Sequence, residues 1–225
     1  KSSQLESLPT THLAVLSPAQ IAALNTRAIP GLTPAQVGVF SATQAEALTP
    51  AQVKAMTASQ LETFAEDEIR QFSTADIAAI SASTFAELST TTLGAFTTAQ
   101  IASIGASTFS KMTIEQLNAL DGEQLGALTS TQMAALTSLQ ASSLSTDEVA
   151  FLSTSALVAL SGKSIAGFAT DVVAKWTPEQ IAALSTGAIV KLTSDQLATL
   201  STAQVEALTS AQIKVLSSVQ IGALS

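Results

Sequence analysis

Large apolar residues stand at every eighth position from Leu8 to Leu224, 28 times, with no insertion or deletion. A second apolar residue stands three places before each of them, from Leu5 to Ile221, again 28 times. The chain is therefore a repeat protein with an octapeptide period. Numbering each octad 1 to 8 with the large apolar residue last, position 1 is Ser or Thr in 21 octads, with Asn25 and Asp121 in two more. Those residue types cap helix N-termini, their side-chain oxygens accepting from unpaired backbone N–H groups. Position 4 is Gln in 16 octads and Glu at Glu68 and Glu148, which completes a capping box with position 1. Four of the six prolines (Pro18, Pro34, Pro50, Pro178) fall at position 2, the first helical residue, where a missing N–H costs nothing. The apolar residues at position 8 of one octad and position 5 of the next form a hydrophobic staple around each cap.

Charge supports the same reading. Twelve of 17 acidic residues lie at positions 1 to 4, and six of nine basic residues lie at positions 6 or 7. Acids in a first turn and bases in a last turn each gain about 0.3–1 kcal/mol from the helix dipole. Each octad thus starts its own helix. One continuous helix is disfavoured, because eight residues at about 100° each leave the apolar stripe about 80° out of line per octad. A β-solenoid is disfavoured by the three-residue spacing of positions 5 and 8 and by alanine at positions 3, 6 and 7. The expectation is an all-α solenoid of about 28 very short capped helices, about three per coil. It should form a single continuous domain over residues 1–225.

Helices this short are unstable alone, so their stability must come from burial of positions 5 and 8, at about 1.5–3 kcal/mol per side chain. Ala at position 7 (Ala23, Ala47, Ala127, Ala207) lets neighbours approach closely. The octad at 25–32 carries Pro30 and Gly31 and should have a shortened helix. The phenylalanines of 64–109 should fill a wider interior. On this reading Leu128→Asp melts neighbouring coils, while Gln132→Ala costs only a cap contact, about 0.5–2 kcal/mol or less.

Composition narrows the function. The chain is 47% hydrophobic, 4% aromatic and 12% charged. Ser, Thr or Gln interrupts every octad, so no apolar run approaches the roughly 18 residues of a membrane span. A net charge of −8 disfavours a nucleic-acid partner. With no cysteine, disulfides and thiolate metal sites are excluded. Lys1 is not a Met and Ser225 opens a further octad, so the chain reads as a segment of a longer array.

Candidate chemistry is sparse. His12 is the sole histidine, without a second imidazole for a metal or a triad. Glu66, Asp67, Glu68 and Asp76 lack the spacing and glycine turn of a calcium loop and read as charged helix N-termini. The regular Ser and Thr read as caps rather than nucleophiles. Trp176 occupies a core position. The recurrent Gln could form ladders along the solenoid surface and offer a binding stripe. No catalytic, cofactor-binding or metal residue is assigned, no cofactor is implied, and the chain is expected not to be an enzyme.

The six residues Leu32–Val37 and Leu48–Val53, L-T-P-A-Q-V, resemble the opening of TAL-effector DNA-reading repeats, but this chain is acidic with an eight-residue period. The phrase L-[ST]-x-x-Q-[IVL]-x-A, as in Leu184–Leu224, is similar to octapeptide arrays of very large proteobacterial surface or secreted proteins, adhesin-like in kind. That resemblance implies an exported structural segment (stalk, spacer or fibre), extracellular or at the cell surface. Its partners would be neighbouring repeats or further copies of itself. The alternatives are a self-assembling filament or surface-layer subunit, and a ligand- or peptide-binding scaffold on a concave face.

Overall fold

A computed structural model describes residues 7–224. Among these residues every octad from Pro9 onward forms one helix: 26 short α-helices and one 3-10 helix, with no strand. Each α-helix has four to six residues, as in Pro34–Val37 and Pro50–Ala55. The N-cap Ser or Thr has extended backbone and accepts from the position-4 N–H, as Thr49 does from Gln52 N at 3.3 Å. Where two extended residues separate helices, as at Met56 (φ −71°, ψ 150°) and Thr57 (φ −83°, ψ 161°), the chain changes direction at each cap. The octad at 25–32 is the 3-10 helix Thr26–Gly31, with Pro30 inside it. Pro30 has no N–H for an α-helical bond, so the segment tightens into a 3-10 helix of six residues and is not shortened as expected. Residues Gln4 and Leu5 of the first octad lie outside the described residues.

The described residues form two compact units, one ending at Met112 and one beginning at Thr113. Within each, a helix packs against the third helix after it: Pro50–Ala55 on Thr74–Ala79 in the first unit, Thr154–Val158 on Pro178–Ala183 in the second. About three octads per coil is the spacing this packing requires. Positions 5 and 8 form the interior, with Ile21, Phe85, Phe109, Met133 and Ile181 fully buried. The phenylalanines of 64–109 lie in the interior: Phe64 and Phe72 meet edge to face with ring centroids 5.1 Å apart, and Phe85 and Phe96 at 6.2 Å. Close approach at position 7 is clearest at Gly167, where a Cβ would come within 2.4 Å of the Ser138 carbonyl oxygen.

Candidate functional site: a glutamine ladder between coils

Most Gln at position 4 are not surface residues, Gln20 being exposed and Gln220 half-buried. Gln52, Gln60, Gln132, Gln196 and Gln212 are each only 1% exposed, so the expected binding stripe is corrected to a buried one. The side-chain amide works in two directions. In Gln52, Oε1 accepts from the backbone N–H of Thr49 at 2.8 Å, closing the capping box. Its Nε2 donates to the carbonyls of Ile21 and Leu24, at 2.8 and 2.9 Å. These carbonyls sit at positions 5 and 8, four octads earlier. The position-5 carbonyl already accepts from the N–H three residues on, as Ile21 does from Leu24 at 3.0 Å, so one amide satisfies an orphan donor at its own helix, the position-8 carbonyl of the coil before and the second lone pair of the position-5 carbonyl.

The pattern recurs in both units. In the first, Gln44 reaches Leu13 and Leu16, Gln60 reaches Ile29 and Leu32, and Gln100 reaches Ile69 and Phe72. In the second, Gln196 reaches Ile165 and Phe168, Gln204 reaches Val173 and Trp176, and Gln212 reaches Ile181 and Leu184. The capping box accepts Gln or Glu alike, yet 16 Gln stand against two Glu at position 4. That bias was the available signal of a required donor. A carboxylate closes the box but cannot staple the coils, because when ionised it only accepts. Gln→Ala at a stapled octad therefore loses more than a cap contact.

The other singled-out residues do not come together. His12 is exposed on the helix Thr10–Ala14. Glu66 pairs with Arg70 one turn on, and Glu68 accepts from the backbone N–H of Ala65. Asp76 is separate: it is 2% exposed, and its Oδ2 accepts from the Ser73 N–H and hydroxyl. Its Oδ1 has no partner. Trp176 is 3% exposed and packs edge to face on Phe168, centroids 5.3 Å apart. Among the described residues no group of three or more His, Cys, Asp or Glu is placed to hold a metal, and no helix is long and apolar enough to cross a membrane. The Glu115 carboxyl lies below its ordinary value because its own backbone N–H, and then Thr113, hydrogen-bond the ionised form. Glu179 is held down in the same way by its own N–H and Thr177.

Fold and ladder together define a class: a short-helix α-solenoid built from octapeptides whose coils are joined by buried glutamines. A family model described as the ALTTAQ repeat matches residues 173–210 and 189–225. Its six-letter phrase stands here, with Ser210 in place of the second Thr, as Ala207-Leu208-Thr209-Ser210-Ala211-Gln212, positions 7 and 8 of one octad followed by the cap and ladder positions of the next. No curated protein sequence matches the chain.

Proposed function

We propose that the chain is a structural repeat segment, a stalk, spacer or fibre of a bacterial surface or secreted protein, and not an enzyme. The ladder carries this reading. Amides such as those of Gln52 and Gln212 tie their octads to the coil before, so the polar groups lie inside the array as fasteners rather than converging on an outer site. The octapeptide resemblance to proteobacterial surface proteins supplies the export and the extracellular location. Antibodies against 193–224 should label intact cells of the source bacterium; protein confined to the cytosol would refute the surface assignment.

Self-assembly into a filament is a second reading, favoured by apolar side chains left in solvent: Leu139 at 68% and Val219 at 69% exposed. Sedimentation at rising concentration should then show growing species. A strict monomer throughout removes the filament and leaves the stalk.

A further inference from the structure

The ladder has gaps, and the gaps repeat. Position 4 is Gln at Gln20, Gln100 and Gln180, and is not Gln at Ala28, Thr108 and Ala188. It is then Gln for four octads after each (Gln36–Gln60, Gln116–Gln140, Gln196–Gln220). Four consecutive octads without Gln follow twice, at Glu68, Asp76, Thr84 and Thr92, and again at Glu148, Ala156, Ser164 and Val172. Corresponding residues differ by 80 in number (100 − 20, 180 − 100, 148 − 68). Beneath the octapeptide lies a ten-octad period.

Because each amide reaches back four octads, four successive gaps leave one coil boundary with no amide across it. In the first unit this is the boundary between 33–64 and 65–96; in the second, between 113–144 and 145–176. Both gaps begin with a Glu, which differs from the stapling amide by one donor group. Other contacts hold the boundary. In the first unit the exposed Glu62 accepts from the Ser89 N–H and the Thr92 hydroxyl, and in the second the Ser130 hydroxyl donates to the Ser155 carbonyl. Aromatic bulk gathers there: Phe72, Phe85 and Phe96 in one gap, Phe151, Phe168 and Trp176 in the other.

The first of the two boundaries also opens at the surface. A depression of about 300 Å³ lies among Glu62, Phe64, Glu66, Ile69, Ser89 and Thr92. Another of about 290 Å³ lies among Thr146, Val149, Lys175, Trp176 and Gln180, between the second gap and the octad after it and away from the boundary with 113–144. Of their linings, Glu66 with Thr146 and Ile69 with Val149 stand at matching places in the period. Gln180 accepts from the Thr177 N–H at its box, but no coil carbonyl receives its Nε2.

We infer that the chain is a tandem of ten-octad modules, each with one unstapled coil boundary that yields first under load. The inference rests on the stalk or fibre reading for its use, but the weak boundary can be measured whether or not that reading holds. Water penetrates first where fewest bonds cross, so local opening is most frequent there.

Hydrogen exchange on the full chain tests it. Amides at positions 5 to 8 in 65–96 and 145–176 should exchange at least tenfold faster than those in 33–64 and 193–216. The triple substitution Asp76→Gln, Thr84→Gln, Thr92→Gln should slow 65–96 by about tenfold and leave 145–176 unchanged. If the triple variant does not fold, Thr92→Gln alone should slow its own octad and 57–64. Pulled from its ends, the wild-type chain should first release about 110 Å of contour, the length of four octads at about 3.4 Å per residue. Exchange in 33–64 as fast as in 65–96, or Gln substitutions without effect on 65–96, overturns the inference. Surface labelling reports separately on the function.

Discussion

Gln52→Glu and Gln20→Glu make the same one-group change at the same repeat position, and the ladder predicts opposite severities. Both Gln close a capping box, Gln20 with Ser17 at 2.8 Å and Gln52 with Thr49 at 2.8 Å, and Glu serves that box equally well. Gln20 is exposed, whereas Gln52 is 1% exposed and donates to Ile21 and Leu24 on the coil before. At position 52 the change removes two hydrogen bonds worth about 1 kcal/mol each net. It also sets an acceptor-only group against two carbonyls, adding about 1–3 kcal/mol for the Leu24 carbonyl left without its amide, while Ile21 keeps the Leu24 N–H at 3.0 Å. The expected cost at neutral pH is about 3–5 kcal/mol, against less than about 0.5 kcal/mol at position 20. The Gln52→Glu penalty should shrink as the medium is acidified, because a protonated carboxyl regains a donor. Urea unfolding gives the totals, and hydrogen exchange over 17–24 and 49–56 gives the local effect, which matters because repeat arrays can open in parts. If the two variants melt alike, or if Gln52→Glu does not recover at low pH, the cross-coil bond is not what the buried amide is for.

Three further outcomes follow from single positions. Asp76→Gln should stabilise by about 1–3 kcal/mol, since it replaces a buried carboxylate whose Oδ1 has no partner with a group able to donate; a lower urea midpoint would refute this. Gly167→Ala should destabilise by about 1–3 kcal/mol, its Cβ meeting the Ser138 backbone at 2.4 Å. Gly94→Ala, with open space around its Cβ in the helix Thr90–Gly94, should instead stabilise by about 0.5–1 kcal/mol. The Glu115 and Glu179 carboxyls are held below their ordinary value in the folded chain. Their contribution is therefore present above the unfolded carboxylate value and is lost as pH falls through the folded one. Glu115→Gln with Glu179→Gln should flatten the acid side of the melting curve, and an unchanged acid limb would contradict it.

Local chemistry read from the chain determined the helices. Ser or Thr at position 1, Pro at position 2 and apolar residues at positions 5 and 8 act within one octad or across one cap, so their effect is legible wherever the pattern stands. They also marked the interior, which is why Trp176 and the phenylalanines lie where their positions require. What the octad could not express is contact between residues 28 and 31 apart. The capping box explains Gln by its oxygen alone; only stacked coils bring carbonyls such as those of Ile21 and Leu24 to the nitrogen of Gln52. The same stacking turned Asp76 from a charged helix start into a buried carboxylate with an idle oxygen, because burial at position 4 is set by the coil before it and not by the residue itself.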